Sequence, residues 1–298
     1  MLGSGRDIES LEQVTKMTKI TLLDGGMGQE LIRRSGEAPT PLWSTQVMID
    51  HPGMVAAVHA DYRAAGATVH TTNTYAIHRD RLEGTGLEDR FADLTAAAST
   101  EAQGSGRIAG SIGPLIASYR PDIHPAHDIA VPAYAEVAAL IAPRVDLFLC
   151  ETVASVAHAR AVLAATLPLG KPVWLSVTLD DEDGSRLRSG EPVADVLEAA
   201  QGASALLANC SAPEAMAAAM AAFAKGNLPF GAYANGFTQI TKDFLKSKPT
   251  VDALSARRDL GPDAYAHFAL GWIDQGPPSS VAAARSAPPI SRGWRSNC

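Results

Sequence analysis

Two carboxylates and one cysteine stand where this chain could do chemistry. Asp24 and Glu151 each close an apolar run, and Cys210 follows a third such run directly after Asn209. Paired carboxylates can divide acid and base work, and a cysteine is a residue type able to act as a nucleophile. The setting of the first carboxylate is the most telling: Thr21-Leu22-Leu23-Asp24-Gly25-Gly26-Met27-Gly28-Gln29-Glu30. An apolar run, a glycine-rich turn and a helical pattern form the opening of a βα unit. Glycines there let a ligand approach the main chain closely. A tight turn with a helix-capping Asp gives the same local pattern, so the weight falls on the other strand ends.

Apolar β-type runs recur at 20–23, 68–72, 107–111, 147–150, 173–178, 205–208 and 230–233. Ala- and Leu-rich stretches with helical spacing lie between them, as at 52–65, 134–142, 156–166 and 213–224. Strands this apolar, separated by helices, predict a parallel sheet covered on both faces. Seven βα units are legible, one short of a closed (β/α)₈ TIM barrel. A doubly wound sheet fits the alternation too, but the cluster Gly104-Ser105-Gly106-Arg107-Ile108-Ala109-Gly110 precedes a strand and lacks the dinucleotide spacing.

Polar residues fall at the strand ends: Asp24; Thr72-Asn73-Thr74-Tyr75; Ser111-Ile112-Gly113-Pro114; Glu151-Thr152; Ser176; Asn209-Cys210; Asn235-Gly236. In a barrel all of them converge on one mouth, where such folds do their chemistry.

Asp24-Gly25-Gly26-Met27-Gly28, Thr72-Asn73-Thr74-Tyr75, Gly110-Ser111-Ile112-Gly113-Pro114, Glu151-Thr152 and Asn209-Cys210, in this order, resemble the homocysteine S-methyltransferase family. The resemblance covers roughly 20–276. It implies a (β/α)₈ barrel that moves a methyl group to the thiol of homocysteine with the help of zinc, giving methionine. The donor it implies is a sulfonium or related compound, with S-methylmethionine favoured because the chain carries no cobalamin or folate modules. A free thiol has a pKa of about 8.5, and zinc held by three thiolates would take the substrate sulfur as thiolate at its open position. By resemblance Asp24 and Glu151 hold the α-amino group of homocysteine, with Gly25, Gly26, Met27, Asn73, Asn209 and Asn235 completing the binding wall. Cys210 is the catalytic position and a zinc ligand. Trp43 and Tyr75, with Tyr233, would box the cationic donor through cation–π contacts. Trp43 as a packed aromatic and Glu151 as a helix cap are the simpler alternatives, and Cys150, inside an apolar strand, reads as core.

The family's zinc needs a further adjacent cysteine pair, in a Gly-Gly-Cys-Cys motif at the end of strand eight. Here Trp272-Ile273-Asp274-Gln275-Gly276 is followed by Pro277-Pro278-Ser279-Ser280-Val281-Ala282-Ala283-Ala284-Arg285. Its prolines remove ladder donors and its alanines bring little to a core, so the eighth strand and helix are expected to be missing or degraded. That would leave open edges on the first and seventh strands. Codons can be chosen for 280–298 whose shifted reading gives GGCCEIGPAHIARLAEQL, the missing pair followed by a final helix. The expectation is a lost base near the Gly276 codon, and sequencing the DNA tests it. As written, the chain keeps one zinc ligand of three, Cys298 is a poor substitute, and zinc is not expected to be stably bound.

Three layers along the chain follow: a poorly ordered leader at 1–19, the barrel at 20–276 and an aberrant tail at 277–298. A formal net charge of −7 argues against nucleic acid or an anionic membrane as partner. No apolar run approaches the ~20 residues needed to span a bilayer. The chain's three cysteines are widely spaced, which suggests no disulfide framework and agrees with a cytoplasmic protein acting on small molecules. His124 and His127 read as a solvated loop or a metal pair, and the acidic run Asp180-Asp181-Glu182-Asp183 as a solvated turn or a cation site. Two readings compete with the methyltransferase: a barrel that binds an amino acid without catalysis, and a TIM-barrel enzyme using Asp24 and Glu151 as an acid–base pair.

Overall fold

The computed structural model describes residues 20–38, 40, 42–237, 240, 257–275 and 281–283. The expectations for the leader 1–19, for Cys298 and for the last helix lie outside these residues. Each apolar run read from the sequence is a parallel strand: β1 (Thr21–Leu23), β2 (Val69–Thr71), β3 (Arg107–Ile112), β4 (Leu147–Val153), β5 (Val173–Val177), β6 (Ala205–Asn209) and β7 (Phe230–Tyr233). Between them run α1 (Met27–Ser35), α2 (Ser44–Asp50), α3 (Met54–Ala64), α4 (Arg79–Leu82), α5 (Phe91–Glu101), α6 (His127–Ile141), α7 (Val156–Thr166), α8 (Val196–Ala199), α9 (Met216–Phe223) and α10 (Pro262–Ile273).

The eighth strand is degraded but present. β8 (Val281–Ala283) is three residues long and pairs in parallel with β1 through Thr21↔Val281 and Leu23↔Ala283, and with β7 through Gly231↔Val281. The described strands therefore close in the order β1 to β8, which corrects the expectation of two open edges. The physical reason lies in the residues that pair: Val281, Ala282 and Ala283 all keep a backbone N–H for the ladder, which a proline lacks.

Alternation along the strands sorts the core into two layers. Leu23, Val69, Ala109, Leu147, Leu149, Trp174, Ala205, Leu207 and Tyr233 cluster inside the barrel. The opposite faces, among them Ile108, Phe148, Cys150, Leu206 and Phe230, pack against the helices in a larger apolar layer. α3 shows how a helix meets that layer. Val55, Val58, His59 and Tyr62 recur at helical spacing and are all buried, so the one polar member of the stripe, His59, is carried against the barrel wall. Tyr265 of α10 does the same service at the exit of β7, accepting from the Ala234 N–H at 3.0 Å.

Candidate functional site at the carboxyl ends of the strands

Glu151 reaches the mouth because β4 alternates. Leu147 and Leu149 face the barrel interior, and Glu151 continues that face, whereas Cys150 turns outward to within 3.9 Å of Thr166 Oγ1 on α7. Burial pushes the Cys150 thiol up to about 12, the behaviour of a core cysteine. Past Glu151 the register with β5 shifts between Cys150 and Val153, and Thr152 takes a left-handed φ of 61°. Such irregularities re-aim side chains beside active sites. The Glu151 carboxylate accepts from Ser111 Oγ at 2.5 Å and from the Tyr233 hydroxyl at 3.1 Å. Two neutral hydroxyls thus fix its orientation and leave lone pairs for a ligand.

Asp24 lies across the mouth. Its Oδ2 accepts the Thr71 N–H and its Oδ1 the Thr71 hydroxyl, both at 2.8 Å, which ties the end of β1 to β2. Asp24, Gly25, Met27, Trp43, Asn73, Tyr75, Glu151 and Tyr233 line one cavity together with Leu23, Gly28, Ser44, Thr71, Thr72 and Ser111. It encloses about 500 Å³ including space open to solvent, a size that suits a small molecule. Glycine is required at one place in this wall and at one place packed against Tyr75. A Cβ on Gly28 would stand 2.5 Å from the Trp43 ring, and one on Gly113 would stand 2.8 Å from the Tyr75 ring.

Trp43 takes φ 49°, and its Nε1 is buried without a hydrogen-bond partner among the described residues. It meets Tyr75 edge-on at 6.4 Å between ring centroids. The Tyr75 hydroxyl bonds Ser118 Oγ at 2.7 Å, and the Arg81 guanidinium sits 5.9 Å from its ring. Burial and the neighbouring Cys210 push the Tyr75 phenol up to about 12. Tyr233 spends its hydroxyl on Glu151. Asn73 donates from Nδ2 to the Ser44 carbonyl at 3.2 Å, joining β2's end to α2.

Four of the expected residues lie outside the cavity wall. Gly26 is the residue before α1, and its carbonyl accepts from the Tyr62 hydroxyl. Asn209 bridges β6 to β4, accepting the Thr152 N–H at 3.0 Å and donating to Thr152 Oγ1 at 3.1 Å. Its Nδ2 also lies 3.1 Å from Cys210 Sγ. Cys210 follows with φ 53° and is buried beside Tyr75. Asn235 accepts the Phe237 N–H at 3.1 Å, and its Nδ2 has no hydrogen-bond partner among the described residues.

Among the described residues a three-thiolate zinc centre does not fit. Cys210 is the one thiol at the mouth, and Cys150 faces α7. A different donor set is present: Asp24, His59 and His70 are all buried and bring one ligand atom each to within 4.8 Å of one another. Sequence reasoning missed both histidines, although the helical spacing of His59 with Val55 and Tyr62 marked it as buried. It also left out Thr71, whose alternation with Val69 points it inward.

Two surface readings need correction. His124 is not in a solvated loop: its ring stacks on His158 at 4.3 Å between centroids, and its Nε2 lies 3.0 Å from the Tyr134 hydroxyl. The acidic run is not a solvated turn throughout, because Asp181 pairs with Arg188 at 2.8 Å and accepts the Ala212 N–H. Both segments fold back onto the rim, where burial rewards pairing that sequence polarity conceals.

The family model described as homocysteine S-methyltransferase matches residues 21–282. A homocysteine S-methyltransferase of Escherichia coli K12 is 30% identical over 231 residues, spanning 67% of this chain and 72% of the relative. The homocysteine S-methyltransferase YbgG of Bacillus subtilis is 26% identical over 62% of this chain and 66% of its own length. The crystal structure of the homocysteine methyltransferase MmuM from Escherichia coli in its metallated form superposes with a TM-score of 0.76 at 24% identity, covering 97% of this chain and 99% of that one. The shared architecture is a likeness of fold. Among the described residues no helix is long and apolar enough to cross a membrane.

Proposed function

This chain belongs to the homocysteine S-methyltransferase family, and from that premise we propose that its barrel mouth binds homocysteine and that its reaction is methyl transfer from a sulfonium donor, S-methylmethionine, to the homocysteine thiol. The observation that carries the reading is the pair of carboxylates, Asp24 and Glu151, lining one cavity with their outer oxygens already oriented by Thr71, Ser111 and Tyr233. An ammonium between them gains charge-assisted hydrogen bonds in a site where little water competes. Trp43 Nε1 offers a donor in the same wall, suited to the substrate carboxylate.

In the transfer the homocysteine sulfur forms a bond to the methyl carbon as that carbon's bond to the sulfonium sulfur breaks. The donor leaves as a neutral thioether, and the thiol proton goes to solvent. Positioning contributes most of the acceleration in such an in-line displacement. What this chain's residues supply is binding and orientation: the amino group is fixed at Asp24 and Glu151, and the sulfur is directed toward the Cys210 side of the mouth. Asn209 holds Cys210 there from β6.

A second reading is favoured by one observation, the single thiol at the mouth among the described residues. It makes this chain an amino-acid-binding barrel with little or no turnover, descended from an active enzyme. Methionine formation from S-methylmethionine and homocysteine, measured on this chain and on a version with the Gly-Gly-Cys-Cys frame restored, separates the two. Turnover by the restored chain with homocysteine binding by both is expected. Failure of both to bind homocysteine overturns the reading of the site.

A further inference from the structure

Behind Asp24, a residue of the proposed homocysteine site, lie two buried side chains that homocysteine binding does not use. His59 of α3 and His70 of β2 meet edge to face, with ring centroids 5.6 Å apart, in the layer between barrel and helices. They are 1% and 0% exposed, and none of their four ring nitrogens has a hydrogen-bond partner among the described residues. Buried polar atoms are paired as a rule, so two adjacent imidazoles left without partners call for an explanation. The third member is Asp24, whose Oδ2 lies 3.6 Å from His59 Nδ1. The Arg63 guanidinium, the cation that acts on His70, is occupied by the Gly104 carbonyl at 2.6 Å.

We propose that Asp24, His59 and His70 form a binding site for one divalent transition-metal ion of the zinc type, separate from any site built on Cys210. Two imidazoles and a carboxylate are a donor set that suits zinc and its first-row neighbours. Metal bonds near 2.0–2.1 Å with tetrahedral angles set ligand atoms about 3.3 Å apart; the His59–Asp24 pair at 3.6 Å is close to that spacing, and all three ligand atoms lie within 4.8 Å of one another. One carboxylate leaves the ion with a single net positive charge. Asp24 also lines the open cavity, which gives the ion a route in.

The test uses the full chain, stripped with a chelator and titrated with Co²⁺, which reports its ligands by absorption. One ion per chain is expected, with the visible bands of a nitrogen and oxygen site and no near-ultraviolet thiolate charge-transfer band. Cys210→Ser should leave the spectrum and affinity unchanged. His59→Ala and His70→Ala should each weaken binding on the order of a hundredfold or more, as loss of a ligand does. Co²⁺ should raise the Tm of the unsubstituted chain but not that of His70→Ala. If a histidine variant does not fold, the spectrum of the unsubstituted chain and the Cys210→Ser comparison decide alone. Absence of stoichiometric binding, a thiolate band lost in Cys210→Ser, or undiminished affinity in folded His70→Ala would each overturn the proposal.

Discussion

Replacing Glu151 by Gln removes one charge from the mouth and almost nothing else. The side chain keeps its shape, and the partners of its two oxygens, Ser111 Oγ and the Tyr233 hydroxyl, are both able to reverse donor and acceptor roles. Folding stability should therefore change by no more than ~1 kcal/mol, the scale of one neutral hydrogen bond. Homocysteine binding should change far more. A carboxylate that is 6% exposed and already oriented costs a ligand little to meet, and a charge-assisted hydrogen bond to an ammonium is worth ~1.5–3 kcal/mol. At about 1.4 kcal/mol per tenfold, the dissociation constant should rise roughly 10- to 150-fold. Isothermal titration of homocysteine into both proteins measures this, with urea unfolding as the stability control. An affinity within about threefold of the original, in a variant of unchanged stability, would remove Glu151 from the ammonium site.

Further outcomes follow from the same geometry. Asp24→Ala should weaken homocysteine binding on the order of tenfold to a hundredfold, and equal affinity in the two proteins would exclude Asp24 from the site. Gly28→Ala should displace the Trp43 ring, which a Cβ would approach to 2.5 Å; a stability loss of ~1–3 kcal/mol in urea unfolding is expected, along with altered tryptophan fluorescence, and a neutral variant would contradict the packing. Cys150, buried with its thiol pushed up to about 12, should resist alkylation in the folded protein and react only on unfolding; mass spectrometry of native labelled protein checks it, and modification of Cys150 there would refute it. Burial lowers the pKa of His59, His70, His78 and His158 below the usual 6.5. The unfolded chain therefore takes up protons first, so this contribution to stability is complete above about pH 6.5 and is lost as pH falls toward the folded values. Urea midpoints should drop between pH 7 and 5, each histidine contributing up to ~1.4 kcal/mol per pH unit, and a flat profile would contradict it.

Much of the fold was legible because period and position coincide. The apolar runs ending in Asp24, Glu151 and Asn209 are buried strands, and a parallel barrel brings their ends to one mouth whatever the loops do. Eight of the expected site residues line one cavity for that reason. Asn209 and Gly26 do not, because a strand-end residue serves either the ligand or the neighbouring strand, and only the local twist decides which. The turn at Thr152 and Cys210 depends on left-handed backbone at non-glycine residues, which no sequence pattern announces. The eighth strand is degraded as expected, but the closure of the barrel was misjudged: three residues beyond the two prolines suffice to bridge β7 and β1. His70 stayed hidden since a lone polar residue in a short strand reads the same on either face, and only the packing of α3 reveals what it meets.

A crystal structure of the chain with homocysteine tests the central claim most directly. The amino group should lie between Asp24 and Glu151, within hydrogen-bond distance of a carboxylate oxygen of each, with the sulfur on the Cys210 side of the mouth. Homocysteine bound elsewhere, or with its amino group away from both carboxylates, would contradict the account.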